Sequence, residues 1–140
     1  MLESITMKKA IFFLSIILIA NVIGTFYSWY IKWWWFDIAS HLLGGFFVAM
    51  MFSEYLKDNL PENKRLQNIV ILTGTTVFIG VIWEFSEYIA NQTLIDFFYR
   101  QFHIRAYFMG DLDDTVKDLR NDALGGLISS VLSLKIKKLR

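Results

Sequence analysis

Cysteine is absent from this 140-residue chain, and proline occurs once, at Pro61. Without cysteine there is no disulfide, no thiol nucleophile and no thiolate metal site, and the redox compartment stays open. Net charge is only +1, and no basic patch is interleaved with stacking aromatics, so no nucleic-acid partner is expected. Repeats and low-complexity tracts are missing too. Charge itself is scarce and unevenly spread: 19% of residues, against 55% hydrophobic and 17% aromatic. A soluble domain this small has too much surface for its volume to bury that much apolar area. The composition therefore describes a single transmembrane domain over residues 1–140, with the lipid bilayer as its solvent.

A helix needs roughly 20 mostly apolar residues to cross the hydrocarbon core. Four segments qualify, at about 10–31, 37–55, 67–90 and 113–134, the last less cleanly. The start, Lys8-Lys9 followed by an apolar run, also has the outline of a secretory signal, but the run is long enough to span and is expected to be retained. Trp33, Trp34 and Trp35 sit where an interfacial aromatic belt belongs. Between the third and fourth segments, Ile95, Phe98 and Phe102 recur at helical spacing with Asp96, Arg100 and His103 interleaved. That pattern predicts a short amphipathic helix in the interface; an ordered loop is the plainer alternative. The fold class is thus all-α, a polytopic bundle of about four transmembrane helices with one short interfacial helix.

Lysine and arginine counts near helix ends set orientation. Lys8, Lys9, Lys57, Lys64, Arg65, Lys135, Lys137, Lys138 and Arg140 fall on one side; Lys32, Arg100, Arg105, Lys117 and Arg120 fall on the other. Both termini are expected in the cytoplasm, in a prokaryotic cytoplasmic membrane.

The ionisable residues inside these segments carry the chemistry. Asp37 and His41 are four apart at the start of the second helix, on one face. Glu84 and Glu87 are three apart near the end of the third. Asp111, Asp114, Asp118 and Asp122 run into the fourth at offsets of three, seven and eleven, which at ~100° per residue is one stripe. The second and fourth helices start on the outer side and the third ends there, so all three groups reach one depth under one leaflet. A charge at mid-bilayer costs ~2.5–3.5 kcal/mol on insertion scales, and clustered carboxylates repel. Either some are protonated or a cation neutralises them. A divalent ion (Mg, Mn, Zn or Fe) fits carboxylate oxygen and imidazole nitrogen, and bundles build such sites from facing helices. Asp37, His41, Glu84, Glu87, Asp114 and Asp118 are the candidate ligands, with Asp111 and Asp122 as possible additions. His41 or Glu87 is the candidate general base.

Plainer roles exist for each. Asp37 can cap a helix, and His41 can be an interhelical hydrogen-bond partner. Glu84 and Glu87 can be a protonated structural pair. Asp111 and Asp113 fit an acidic, solvated first turn favoured by the helix dipole. Gly44-Gly45 and Gly125-Gly126 read as packing glycines, and His103 as surface.

Three segments together resemble a known family. They are Phe36-Asp37-Ile38-Ala39-Ser40-His41-Leu42-Leu43-Gly44-Gly45, then Trp83-Glu84-Phe85-Ser86-Glu87, then Asp114 to Gly126 with Asp118, Asn121 and Asp122. In that order they resemble the YjdF-type inner-membrane proteins, a family of unknown function, and more distantly the VanZ-like membrane proteins associated with glycopeptide resistance. The likeness covers the second to fourth helices and implies that the motif residues belong together. It implies no activity. Asp114, Asp118 and Asp122 also read, by chemical analogy only, like the aspartates with which intramembrane prenyltransferases hold Mg²⁺ against a lipid pyrophosphate.

Three functions compete. The first is a metal-dependent enzyme acting on a lipid-linked or phosphate-bearing substrate at the outer leaflet. The second is an ion or small-solute transporter, which with so few helices requires a homo-oligomer. The third is a structural membrane protein whose acidic cluster stabilises the bundle.

Overall fold

The computed structural model describes residues 2–137, with side chains from 6 to 135. Lys138 and Arg140, counted above for orientation, lie outside the described residues, and nothing is placed for the side chain of Lys137. Among the described residues every regular element is helical. In chain order these are α1 (Leu2–Tyr27), α2 (Trp29–Lys32), α3 (Trp34–Tyr55), α4 (Arg65–Thr93), α5 (Ile95–Phe102) and α6 (Leu112–Lys137), with two 3₁₀ turns between α3 and α4.

The helices run past the apolar segments that predict them, because backbone hydrogen bonding continues into polar flanks. The exception is the first, expected to reach residue 31. It stops at Tyr27, where Ser28 takes a left-handed conformation (φ 57°), and the chain resumes as the short α2. Apolarity alone gave no sign of that break. Of the belt tryptophans, Trp34 and Trp35 open α3 and Trp33 precedes it. The expected short helix forms as α5, and Phe98 and Phe102 set their rings edge-on against Phe26 at the end of α1.

Among the described residues, three stretches are long and apolar enough to cross a membrane: Thr6–Tyr27, Trp34–Tyr55 and Glu62–Thr93. Their outward residues, including Phe12, Ile19, Val70, Phe78 and Ile89, stay exposed as a lipid-facing surface should. At 26 residues α6 is long enough, about 39 Å at 1.5 Å per residue. It fails the apolarity test because Asp113, Asp114, Lys117, Asp118, Arg120 and Asp122 crowd its first half. Yet α6 is the most enclosed helix, packed chiefly against α3 and then α4. Asp118, Asn121, Asp122, Ser129 and Ser130 are all buried along it, facing neighbouring helices instead of lipid.

Small residues permit that enclosure. A Cβ on Gly125 would stand 2.0 Å from the backbone oxygen of Leu42, and one on Gly45 2.3 Å from that of Asp122. The α3 and α6 backbones therefore touch directly, as small-residue membrane interfaces do. Gly126 instead faces the side chain of Thr76 on α4, whose Oγ1 would lie 2.8 Å from a Cβ there. Gly44 departs from the expected packing role, because a Cβ there would meet nothing within 4 Å.

Gly125→Ala is expected to destabilise the bundle by about 1–3 kcal/mol, since backbone cannot move aside as a side chain can. Gly44→Ala is expected to leave the melting temperature unchanged. Thermal unfolding of the two variants in one detergent checks the contrast.

Candidate metal centre

The imidazole of His41, 6% exposed, lies where α3, α4 and α6 meet. Helical geometry aims it there: Asp37 is one turn before it, and Gly45 one turn after lets α6 approach. Its two nitrogens face different partners. Nδ1 is 3.3 Å from Asp122 Oδ2 on α6, at hydrogen-bond distance. Nε2 is 3.7 Å from Asp37 Oδ1 and 3.9 Å from Glu84 Oε1. Those two gaps are too long for hydrogen bonds.

Two sets of ligand-type atoms gather within 4.8 Å of one another: Asp37, His41 and Asp118, and His41, Glu84 and Glu87. Asp37 and Glu87 are half-buried; Glu84, Asp118 and Asp122 are about 95% enclosed. Five carboxyl groups thus surround a single imidazole. Among the described residues no lysine or arginine forms an ion pair with them. Lys117 and Arg120 point outward and are exposed. Glu84 Oε1 is buried with no hydrogen-bond partner. A buried polar atom without a partner costs ~1–3 kcal/mol, more if charged, so it marks a place where something is wanted.

Asp114 and Asp111 fall elsewhere. Asp114 is half-buried at the rim, its carboxyl pressed against Gly110, and belongs to neither ligand set. Asp111 is exposed, and its Oδ1 accepts a 3.0 Å hydrogen bond from the Asp114 amide, an N-cap for α6. A stripe of four aspartates shares one helix face, but depth separates their roles: the outer two meet water, the inner two meet protein. His103 is exposed and ends α5 in a left-handed conformation.

Other functional residues are not prominent in the sequence. The Trp83 indole Nε1 donates a 2.8 Å hydrogen bond to Glu87 Oε1 and holds that carboxyl in place. Their spacing, four apart on one helix, was the available signal. Tyr30 of α2 donates to the side-chain carbonyl of Asn21, tying the break after α1 back to α1. A lone asparagine in an apolar span was the signal there. Burial raises the Tyr30 phenol, and the Glu87, Asp37 and Asp118 carboxyls add to it. Tyr107, on the segment before α6, is raised too, by burial first and then by Asp114 and Asp37. Both remain neutral hydroxyls at physiological pH.

Residues 4–138 match a protein family described as "Predicted membrane protein (DUF2238)". A relative from Thermotoga maritima, described only as "Uncharacterized protein", is 28% identical over 112 residues. That match takes in 79% of this chain and 54% of the relative, so the chain spans about half the length of the curated relative it matches. No solved structure matches.

Asp111→Ala is expected to cost about 0.5–2 kcal/mol in a thermal melt through loss of the cap. Any metal binding at the buried cluster should be unaffected, as measured by metal titration.

Proposed function

From a chain that belongs to the DUF2238 family of predicted membrane proteins, and from the two-sided contacts of its buried histidine, we propose a membrane-embedded protein that binds a divalent metal ion through His41 Nε2, Asp37, Glu84, Glu87 and Asp118. The observation that carries this reading is the unpartnered Glu84 Oε1 facing His41 Nε2 across 3.9 Å, with Asp37 at 3.7 Å. Two ligands each about 2.1 Å from one ion stand roughly 3–4 Å apart. The gaps are too wide for hydrogen bonds and suited to an ion between them. Asp122 takes a different part. A metal-bound histidine commonly donates its other ring N–H to a carboxylate, which sets the tautomer and ring orientation. Asp122 at Nδ1 is so placed, making it a positioning residue and leaving Nε2 to the ion.

Such an ion, held by hard oxygens and one imidazole, acts as a Lewis acid or lowers the pKa of bound water. Glu87, anchored by Trp83, is the candidate base. The chemistry is phosphoester hydrolysis or transfer on a lipid-linked or phosphate-bearing substrate at the outer leaflet. In this reading α6 is a fourth span, its carboxyls tolerated because they face protein and ion instead of lipid, and both termini are cytoplasmic. Kinship with VanZ-like proteins rests on the motif residues alone.

One observation favours a second reading, ion passage. Buried hydroxyls continue from the cluster toward the other leaflet along α4 and α6 (Thr73, Thr76, Ser129, Ser130), and those of Thr73 and Ser129 have no partner. Passage requires flux into liposomes reconstituted with the protein, and it requires a homo-oligomer if four helices enclose too narrow a path.

Elemental analysis of protein purified without chelator is expected to find about one divalent ion per chain. Glu84→Gln and Asp118→Asn should each lose it. Asp122→Asn should weaken affinity about 10–100-fold while keeping the ligands themselves. Trace metal in the wild type, unchanged in these variants, overturns the proposal.

A further inference from the structure

Two cavities lie end to end beside the cluster. The inner one, about 150 Å³, is walled by Leu14 and Ile17 of α1, Gly44 and Val48 of α3, and Thr76 and Ile79 of α4, with His41 and Asp122 at its floor. The outer one, about 190 Å³, is walled by Val22, Thr25, Tyr30, Ser86, Glu87 and Tyr107. Leu18, Asn21 and Trp83 border both. Chain direction orders them. Along α1 and α4 the inner walls come earlier in sequence than the outer ones, and along α3, which runs the opposite way, Val48 lies beyond His41. The inner cavity therefore sits deeper, and the metal cluster stands at the level where the two meet.

The inner cavity is a cleft between helices. α1 packs on α3 and α3 on α4, but α1 and α4 share no extended contact. Both belong to the apolar stretches long enough to span, so hydrocarbon is the medium beside the cleft. Gly44 of α3 lines its back wall, and nothing within 4 Å would meet a Cβ there, so the cleft has room at that point. A largely apolar cavity of about 150 Å³ accepts a molecule the size of benzene, roughly six carbons. That is one chain end, not a whole lipid. The outer cavity is mostly apolar as well, but more polar groups stand on its wall. It presents hydroxyls and the Glu87 carboxyl, and among the described residues no lysine or arginine lines it. An anionic head there would meet neutral donors and one carboxyl, so a bound cation would supply the positive charge that the wall lacks.

We infer that the cleft between α1 and α4 takes the hydrocarbon chain of a bilayer lipid bearing a phosphate head, the chain end lying against Gly44 and Val48 and the head lying in the outer cavity at the metal centre. The head-group half rests on the metal reading above; the chain half does not. Chains of the surrounding bilayer reach the cleft sideways, without leaving the hydrocarbon. Such a lipid arrives with its phosphate at the depth of the cluster, so proximity is supplied by the bilayer, which already holds the head at that level.

The test uses the full chain in nanodiscs and a long-chain alkyl phosphate carrying a diazirine near its methyl end. After illumination, fragment-ion mapping to single residues is expected to find the label at Leu14 and Val48 above the level at lipid-facing Val70 and Phe78. Gly44→Leu should cut the inner labelling about tenfold or more, with Val70 and Phe78 labelled as before and metal content unchanged. Ile79→Trp should reproduce the loss from the opposite wall. Inorganic phosphate in large excess should not displace the probe; displacement by it would assign the outer cavity to free phosphate. A chelator should weaken labelling by the alkyl phosphate and not by the alcohol of the same chain. If the chelator has no effect while Gly44→Leu still abolishes inner labelling, the metal reading falls and the chain site stands. Inner labelling no stronger than at Phe78, or insensitive to both fillings, overturns the chain site.

Discussion

The fold is organised around a concentration of acidic groups next to one imidazole, where burial makes charge expensive. Five carboxyl groups from three helices approach His41 at one depth. In water such a group would disperse by repulsion. Here the α3–α6 contact, backbone on backbone at Gly45 and Gly125, leaves the side chains nowhere to go. The bundle thus stores an electrostatic demand at its centre, and Glu84 Oε1, buried without a partner, is its most direct sign.

That demand explains why the most polar helix is also the most enclosed. A helix with this many ionisable residues cannot face lipid on all sides. It can cross only if its polar stripe faces neighbours that accept it, and α3 and α4 do so with His41, Gly80 and Thr76. The site and the packing are therefore one arrangement. A substitution on the stripe acts on both, and readouts of ion content and of stability need to be taken together.

Much of this was legible beforehand because bilayer physics writes itself into composition. Uncharged runs near 20 residues announced helices, and the i, i+3 and i, i+4 spacings announced which ionisable residues share a face. The break at Ser28 was not legible, since apolar residues occur on both sides of it and the turn is set by α2 folding back onto α1 through Tyr30 and Asn21. Within the aspartate stripe, spacing put Asp111, Asp114, Asp118 and Asp122 on one face and could not rank them by depth. Asp111 is spent on a cap and Asp114 sits at the rim, while Asp118 and Asp122 are enclosed.

The amino-acid sequence by itself determined that the chain is helical, that it has the composition of a membrane protein, and which ionisable residues share a helix face. Those follow from local periodicity and from transfer energetics, which each segment carries alone. Only the tertiary structure decided which nitrogen of His41 meets which carboxyl, that Gly44 lines a cleft while Gly45 closes a contact, and that Trp83 holds Glu87. Those depend on how helices rotate and how closely they approach, quantities set by every neighbouring side chain at once and written in no single stretch of sequence.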